Sequence, residues 1–458
     1  MNMKFLNRQN EITRLKRRLA ISSACFIVVY GRRRCGKSTL LKRIIGENDL
    51  YFVAHQSDQS VLLNALAREI GKKIKGFEKL IYPDWEALLT NLDNTAKEQF
   101  TLCIDEFPYL VKSSPQLPSL LQRFLDNNPE RKFHLILCGS SQQMMHGLIL
   151  DSGAPLYGRA HEILKIEPLK AGYLKEAIEC TASQAIEEYA VWGGVPRYWE
   201  LRLQETSLEQ GIKNLIFDRL GILHEEPSRL FLDDLRESVQ AFSILSVIGN
   251  GVHRLSEIAG RLNKPSTHLG RPLEVLLRLG YLKREIPFGE SLKSSKKGLY
   301  KISDPFINFY FSFVVPNLSR LELDLKDKVF QQISTQLLHY YASEWENLSR
   351  RCVPSGAINA IDFDVCYRWW GKNTEGEEME LDMVSQSIDK KHLLVGECKW
   401  GEIKNPNSIL NTLIQKASFL PFAKGKTVIP VLFIKKWNKS LEKPSWIFTP
   451  EDVMKRLK

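Results

Sequence analysis

Eight consecutive residues with two glycines, a lysine and a serine carry the plainest chemistry in the chain. They fit the pattern G-x-x-x-x-G-K-[ST] and read Gly31-Arg32-Arg33-Arg34-Cys35-Gly36-Lys37-Ser38. The glycines let the backbone turn tightly, so that its N–H groups point at phosphate oxygens. The lysine then reaches the β- and γ-phosphates, and the serine hydroxyl ligates Mg²⁺. The sequence therefore predicts a binding loop for a nucleoside triphosphate and Mg²⁺, with Thr39 at its end.

The residues on either side of this loop are of the types that place it between a strand and a helix. The run 26–30 is apolar and rich in β-branched and aromatic residues, and the run 39–45 is compatible with a helix. A glycine-rich turn in another fold is the alternative. Strand and helix flanks disfavour it, because the phosphate-binding loop requires that context.

Two carboxylates follow a second apolar run and complete the predicted magnesium site. Asp105 and Glu106 come at the end of the run 101–104. Adjacent side chains at a strand end point in different directions. We therefore expect Asp105 to orient Mg²⁺ through its water shell and Glu106 to polarise the attacking water. An exposed acidic turn is the alternative.

A hydroxyl group follows the next apolar run, 133–138. Ser140 or Ser141 would lie between the phosphate-binding loop and the Asp105 strand, where it could sense the γ-phosphate. A hydroxylated turn without this role is the alternative.

A separate set of charged residues lies near the C-terminus. Asp382 alternates with apolar residues, and fifteen residues later Glu397 and Lys399 stand two apart. Residues i and i+2 of a strand share a face, so a hairpin would bring the three side chains together. Two carboxylates can hold a divalent cation, and a neighbouring lysine can position or deprotonate water. An exposed charged hairpin is the alternative.

Composition limits the class of protein. The 458 residues suggest several domains, and the 43% hydrophobic fraction is ample for packed cores. No apolar run approaches the ~18 residues that span a bilayer, and the eight cysteines are scattered. We therefore expect a cytoplasmic protein without a membrane partner. The net charge of +11 favours polyanionic partners.

The middle of the chain is predicted to be helical and then to form a helix–helix–helix–hairpin pattern. The helical run 170–223 is interrupted at 193–196 by Gly-Gly-Val-Pro. Three short helical patterns follow within 235–279, and two strand-like runs within 281–302 bracket a lysine-rich loop. This order is typical of a winged helix-turn-helix, which binds DNA or docks proteins. We expect DNA as a partner.

Five segments together resemble the archaeal-type P-loop ATPases of the AAA+/STAND group, found in archaea and bacteria. They are residues 5–11, the phosphate-binding loop, Ile104–Phe107, Leu137–Ser141 and Leu156–Arg159. The resemblance implies an α/β ATPase core with a helical lid. It also implies that Phe5 and Arg8 lie near the adenine and that Arg159 contacts the γ-phosphate, in its own chain or in a neighbouring one. A surface salt bridge is the alternative for Arg159.

The C-terminal residues resemble the PD-(D/E)xK nuclease superfamily. The resemblance rests on Asp382, Glu397 and Lys399, although Leu381 stands where the family pattern has a proline. It implies a restriction-endonuclease-like α/β domain that binds Mg²⁺ or Mn²⁺ through Asp382 and Glu397. Glu346 on the preceding helix would be a further ligand, and Gln415-Lys416 on the following helix would contact phosphate.

The predicted fold class is α/β, with four parts. They are an ATPase core (1–170), a helical lid (171–230), a winged helix (231–315) and a nuclease-like domain (316–458). The leading hypothesis is a Mg-ATP hydrolase that binds DNA and gates a metal-dependent nuclease. One alternative is a nucleotide-controlled regulator that binds DNA or protein without cleavage, and another is an ATP-dependent scaffold. Assembly into a homo-oligomer stays open.

Overall fold

The computed structural model describes residues 3–235, 238–401, 403–438 and 442–458. The chain divides into two compact units. The first, here called the amino-terminal unit, lies within residues 6–168 and 232–236. The second, here called the carboxy-terminal unit, lies within residues 1–5, 169–231 and 237–458. The division into four domains that the sequence predicts stays a prediction.

The amino-terminal unit is a parallel sheet with helices along the connections. Its strands are β1 Phe26–Tyr30, β2 Leu50–Val53, β3 Phe100–Asp105, β4 Phe133–Gly139 and β5 Glu162–Lys165. Its helices are α1 Gln9–Leu19, α2 Lys37–Leu41, α3 Gln59–Gly71, α4 Trp85–Thr95, α5 Phe107–Ser113, α6 Leu117–Asn127 and α7 Gln142–Met145. The strand order is β2-β3-β4-β1-β5, and every pairing is parallel.

The amino acids of the central strands explain why this sheet forms. Every residue of β1, β3 and β4 is buried, as expected of strands covered on both faces by helices. In a parallel sheet the carboxyl ends of the strands meet at one edge. The phosphate-binding loop, Asp105 and Ser140 therefore follow three neighbouring strands at the same edge.

The carboxy-terminal unit contains the remaining helices and two sheets. The helices that follow residue 169 are α8 Leu174–Ala177, α9 Ala182–Trp192, α10 Pro196–Arg202, α11 Leu208–Gly211, α12 Glu226–Asp234, α13 Ser238–Gly249, α14 Leu255–Arg261, α15 Ser266–Arg278, α16 Pro305–Phe309, α17 Leu318–Glu322, α18 Lys326–Cys352, α19 Pro406–Ser418 and α20 Pro450–Arg456. The strands are β6 Leu282–Glu285, β7 Leu299–Ile302, β8 Tyr367–Lys372, β9 Glu378–Gln386, β10 His392–Lys399, β11 Thr427–Ile434 and β12 Ile447–Phe448.

The predicted interruption at 193–196 is present. Helix α9 ends at Trp192, and α10 begins at Pro196. Gly193 has φ +59°, and the Pro196 ring cannot supply the N–H that would continue α9. Two tryptophans beside the break, Trp192 and Trp199, are fully buried, so the break lies in a packed helical layer.

The predicted pattern of three helices and a hairpin corresponds to α13, α14, α15 and the antiparallel pair β6-β7. The predicted first helix began at Leu235, whereas α13 begins at Ser238, and residues 236–237 lie outside the described part. The backbone N–H of Tyr300 in β7 also bonds to the carbonyl of His253 at 2.8 Å. The hairpin is thereby held against the segment before α14.

The C-terminal sheet has the order β12-β11-β10-β9-β8. Strands β8, β9 and β10 are antiparallel, and α19 connects β10 to β11, which runs parallel to β10. Helix α18 precedes this sheet and begins twelve residues earlier than the predicted start at 338. Its apolar positions recur every four residues, which keeps one face buried over the added turns: Val329, Ile333, Leu337, Tyr341 and Trp345.

Among the helices of the described residues, none combines the length and the apolar character that crossing a membrane requires.

Candidate functional site

The phosphate-binding loop runs from the carboxyl end of β1 to the start of α2. Its glycines have left-handed φ angles, +147° at Gly31 and +86° at Gly36. A Cβ on Gly31 would lie 2.4 Å from the carbonyl oxygen of Ile166, so only glycine fits there. The Lys37 ammonium is buried inside the loop and donates hydrogen bonds to the carbonyls of Gly31 (2.8 Å) and Arg32 (3.0 Å).

The other predicted loop residues differ in exposure. Arg32 and Cys35 are buried, Arg34 is half-buried, and Arg33, Ser38 and Thr39 are exposed. The exposed side chains of Ser38 and Thr39 follow Lys37 directly in α2. This is the position in which a phosphate-binding loop presents its hydroxyl group to a metal ion.

Ser38 and Asp105 are brought together although 67 residues separate them. The Ser38 hydroxyl donates to the Asp105 carboxylate at 2.7 Å, and Tyr51 in β2 donates to the same carboxylate oxygen. Burial alone would raise the pKa of Asp105, but hydrogen bonds from Cys138, Tyr51 and Ser38 outweigh it and lower the pKa. Asp105 is therefore held as an anion beside a hydroxyl group, and these hard oxygen donors suit Mg²⁺.

Glu106 and Ser140 also meet at this edge of the sheet. The Ser140 hydroxyl lies 3.0 and 2.8 Å from the two carboxylate oxygens of Glu106. Glu106 has φ +55°, an uncommon backbone conformation for a residue with a Cβ. The strained backbone turns the side chain away from that of Asp105 and towards the end of β4. Of the two predicted serines, Ser140 makes this contact, whereas Ser141 is buried at the start of α7.

Arg8 contacts the phosphate-binding loop itself. Its buried guanidinium donates to the carbonyl of Cys35 at 3.3 Å and to the carbonyl of Glu167, and it pairs with Glu11 at 3.0 Å. Arg8 thus ties α1 to the loop. The predicted contact with adenine stays a prediction.

Arg159 lies away from the phosphate-binding loop of its own chain. Its guanidinium binds both carboxylate oxygens of Asp126, at 2.8 and 2.7 Å. Asp126 is in the last turn of α6, before β4 begins, and Arg159 comes just before β5. Both residues are therefore at the amino edge of the parallel sheet, and the loop is at the carboxyl edge. The surface salt bridge that was the alternative for Arg159 is present. The contact of Arg159 with the γ-phosphate, in its own chain or in a neighbouring one, stays a prediction.

Sequence reasoning did not single out Tyr51 or Cys138, which both bond to Asp105. Tyr51 is the polar position of the short strand β2, whose register with β3 pairs Tyr51 with Cys103. Burial, followed by the bond to Asp105, raises the pKa of Tyr51, so its hydroxyl stays a donor. The signal in the sequence was one hydroxyl among apolar strand residues. The strand order must be known before this hydroxyl can be assigned as a partner of Asp105, because only the pairing of β2 with β3 brings the two residues together.

The C-terminal charged residues also come together. In the β9-β10 pairing Met383 is opposite Gly396, which places Asp382 beside Glu397. Asp382 accepts a hydrogen bond from the backbone N–H of Cys398 at 2.9 Å. Lys399 and Glu397 form an ion pair of 2.6 Å. Burial opposes the charge on Lys399, but its bond to Glu397 raises its pKa, so this lysine is held as a cation rather than as a base.

Asp382 is half-buried among other carboxylates. Burial, and then the charges of Glu397 and Glu346, raise its pKa to about 6. Glu346 on α18 is 3.6 Å from Arg350, whose guanidinium also donates to the backbone carbonyl of Asp382 at 2.8 Å. Crowded carboxylates of this kind are stabilised by a proton or by a cation.

The residues near Asp382 fit a divalent cation only in part. Carboxylate oxygens are the right donors for Mg²⁺ or Mn²⁺. Among the residues that the structure describes, however, no three His, Cys, Asp or Glu side chains are already arranged to hold a metal ion. Glu397 is engaged by Lys399 and Glu346 by Arg350. Gln415 and Lys416 line a separate small cavity with Asn373, and their predicted contact with phosphate stays a prediction.

The parallel sheet and the phosphate-binding loop define a P-loop ATPase. Residues 5–200 match the family described as an ATPase domain predominantly from Archaea, and residues 310–409 match archaeal and bacterial proteins of unknown function. An uncharacterized protein of Methanocaldococcus jannaschii is 33% identical over 409 residues, which cover 88% of each chain. The chain therefore belongs to the family of this archaeal protein, with an ATPase domain in its amino-terminal part.

Solved structures extend the comparison of the fold. A Walker-type ATPase of Pyrococcus abyssi is 21% identical with a TM-score of 0.50, and the match covers 67% of this chain and 96% of that one. The ORC2 protein of Aeropyrum pernix, in ADPNP–ADP complexes, is 15% identical with a TM-score of 0.42, over 71% and 97% of the chains. The first similarity supports the P-loop ATPase fold, and the second carries no argument about function.

Proposed function

We propose that this protein hydrolyses ATP with Mg²⁺ at the carboxyl edge of its parallel sheet. The observation that carries the proposal is the pair of contacts Ser38–Asp105 and Glu106–Ser140, formed beside the phosphate-binding loop. The first pair offers oxygen ligands to the cation. The second holds a carboxylate within reach of a water molecule at the γ-phosphate.

Each residue has a separate task in the proposed reaction. Lys37 exchanges the loop carbonyls of Gly31 and Arg32 for phosphate oxygens when ATP enters. Asp105 stays ionised because its hydrogen-bond donors lower its pKa. Glu106 accepts the proton of the attacking water, and Ser140 holds Glu106 in place. Mg²⁺ bound with ATP neutralises the charge that develops on the phosphates.

The test is a comparison of ATP binding with ATP turnover in two variants. Glu106→Gln keeps the shape of the side chain but removes its basicity, so we expect normal binding and turnover at least about a hundredfold slower. Ser140→Ala frees Glu106 and should lower kcat by about tenfold with KM for ATP little changed. Ser119→Ala, an exposed serine of α6, is the control. Wild-type turnover in Glu106→Gln would remove Glu106 from the role of base.

We propose as a second function that the C-terminal site cleaves DNA with a divalent cation. The supporting observation is the order α18, β8-β9-β10, α19, β11, which carries Asp382, Glu397 and Lys399 on neighbouring strands. This order resembles the core of the PD-(D/E)xK nucleases. Asp382 and Glu397 would hold Mg²⁺ or Mn²⁺, and Glu346 would be a further ligand. Lys399, held as a cation, would position the water and the scissile phosphate.

DNA binding in this proposal falls to the segment α13–β7, as a winged helix. Ser266, Thr267, His268 and Arg271 are exposed at the start of α15, and Lys293 and Lys296 are exposed in the loop between β6 and β7. These groups can contact phosphates or base edges. Because phosphate contacts release counterions, binding should weaken as the salt concentration rises.

The test of the second function is cleavage of a panel of linear duplex, single strand, flap and four-way junction. The reactions contain Mg²⁺ or Mn²⁺, with and without ATP. Metal-dependent cutting that is lost in Asp382→Asn is the expected result, and Lys37→Ala shows whether ATP gates it. If the protein binds DNA in a salt-sensitive way and turns over ATP but cuts no substrate, the nuclease hypothesis fails. The regulatory ATPase that binds DNA then becomes the preferred hypothesis.

A further inference from the structure

A basic groove in the carboxy-terminal unit lies outside the ATPase site and the Asp382 site, and it includes Ser266 and Lys296 of the proposed DNA-binding segment. It has a volume of about 920 Å³ and lies between the β6–β7 loop and the β8–β9 hairpin; we call it the wing–hairpin groove. Its key lining residues are Arg254, Ser266, Lys296, Tyr300, Trp370 and Lys372. The two walls lie close together. If residue 371 had a Cβ instead of being glycine, that atom would lie 4.0 Å from the Lys297 ammonium.

The walls of this groove are held in place by packing on both sides. Phe288, at the start of the β6–β7 loop, donates its backbone N–H to the carbonyl of Arg368 at 3.0 Å. Its ring packs 4.9 Å from that of Phe422. Arg284 donates to the carbonyls of Leu292 and Ser295, which shapes the rest of the loop. The groove is therefore built before any ligand arrives.

Positive charge dominates the lining. Among the residues that the structure describes, the exposed side chains of Arg254, Lys296 and Lys372 have no carboxylate partner in an ion pair. Glu378 supplies the single acidic side chain of the lining. The first residue of the 13-residue helix α15, Ser266, also opens into the groove, and its helix end favours phosphate. The groove thus offers several separate contacts to a chain of phosphates.

Aromatic side chains line the same groove. Trp370 and Tyr300 are half-buried in the lining, and the Arg368 guanidinium lies 5.6 Å from the centre of the Trp370 ring. Grooves that combine a cationic track with aromatic rings bind single-stranded nucleic acids, because unpaired bases can stack on the rings. A duplex keeps its base faces stacked on one another, so it cannot use Trp370 in this way.

We propose that the wing–hairpin groove binds a short single-stranded segment of nucleic acid. Its phosphates lie on Arg254, Lys296 and Lys372, and one base stacks on Trp370. This inference deepens the DNA-binding part of the proposed function and rests on it. It adds the strand state of the substrate and a set of contacts contributed by the β8–β9 hairpin, outside the winged helix.

The experiment measures fluorescence anisotropy of a labelled oligothymidylate of about 15 nucleotides, its RNA counterpart and a duplex of equal length, with the full-length protein. Trp370→Ala should weaken single-strand binding by about five- to a hundredfold, and Trp370→Phe should restore most of it. Lys372→Glu should weaken binding and flatten its dependence on salt. Lys455→Glu, an exposed lysine of α20 outside the groove, is the control for charge and should bind like the wild type.

The outcomes separate this inference from the rest of the account. If the wild type, Trp370→Ala and Lys372→Glu bind the probes equally, the groove is not the binding site. DNA would then bind at another surface of the protein. The single-strand assignment would be overturned if the wild type bound the duplex more tightly than the single strands and if the groove variants weakened duplex binding and single-strand binding equally. A wild-type protein that binds none of the three probes would overturn both the groove and the proposed DNA binding. ATP turnover in the same samples would still report on the ATPase.

Discussion

Asp105 and Asp382 are both carboxylates on strands, the first buried and the second half-buried, and their neighbours move their pKa values in opposite directions. Asp105 is surrounded by hydrogen-bond donors, including Tyr51 and Ser38, which lower its pKa against the effect of burial. Asp382 has one backbone donor and is close to Glu397 and Glu346, so its pKa is raised to about 6. The first carboxylate is ready as an anion, whereas the second gains from a proton or a cation.

Tyr51→Phe should weaken Mg²⁺ binding at the ATPase site. The change removes one donor to Asp105, and a hydrogen bond to a charged group contributes about 1.5–3 kcal/mol. We expect half-maximal ATP turnover to require about fivefold or more Mg²⁺, as measured by phosphate release across a Mg²⁺ titration. Tyr157→Phe, an exposed tyrosine of the same unit, should leave the titration unchanged. If both variants follow the wild-type curve, the bond to Asp105 has no part in metal binding.

The pKa of Asp382 predicts how pH and metal ions affect stability. Its value in the folded state is about 6, against 3.8 for the unperturbed side chain. The folded protein therefore keeps a proton that the unfolded chain releases, and stability falls as pH rises through this window. The loss is on the order of 3 kcal/mol above about pH 6.

A divalent cation should recover this loss. We expect Mn²⁺ to raise Tm more at about pH 7 than at about pH 5, because the cation competes with a proton at the lower pH. Asp382→Asn should be more stable than the wild type without metal and should lose the Mn²⁺ effect. Asp364→Asn, an exposed carboxylate nearby in sequence, should retain that effect. An equal Mn²⁺ shift in Asp382→Asn would place the cation elsewhere.

At the scale of elements, the position of the phosphate-binding loop depends on how closely β1 approaches the segment after β5. Strands β1 and β5 pair in parallel up to Tyr30 and Lys165. The backbone of Ile166 then passes Gly31 with no room for a Cβ. The first glycine of the motif therefore serves packing as well as phosphate binding.

Gly31→Ala should destabilise the amino-terminal unit more than a change at another left-handed glycine. Gly158 has φ +73°, and a Cβ added there would have no atom within 4 Å. Gly158→Ala therefore lowers the free energy of unfolding only through the unfavourable backbone conformation, by about 1 kcal/mol. Gly31→Ala adds a clash with the backbone of Ile166 and should lower the free energy of unfolding by about 2 kcal/mol more than Gly158→Ala does. Thermal unfolding of both variants measures the difference. Equal losses would show that the contact with Ile166 relaxes freely.

The sequence was most informative where the pattern of apolar residues is local. The runs predicted for β3, β4 and β7 lie at the observed strands, and the loop motif lies between β1 and α2. Local patterns could not give the strand order, which is why Tyr51 was missed. They also could not show that Arg159 pairs with Asp126, because that contact depends on where α6 ends against the sheet.

At the scale of the whole molecule, the two proposed chemistries lie in separate compact units. The phosphate-binding loop, Asp105 and Glu106 are in the amino-terminal unit, whereas Asp382 and Glu397 are in the carboxy-terminal unit. The net charge of +11 suits a polyanionic partner, and the wing–hairpin groove collects part of that charge on one surface. Substitution at one site should therefore leave the basal chemistry of the other intact.

The most direct measurement is Mg²⁺-dependent release of phosphate from ATP by the wild type, Lys37→Ala and Asp382→Asn, without DNA. The account predicts turnover by the wild type and by Asp382→Asn at similar rates. It predicts that Lys37→Ala loses turnover by about a hundredfold or more, because the lysine ammonium of this motif reaches the β- and γ-phosphates. Unchanged turnover in Lys37→Ala would contradict the assignment of the ATPase site.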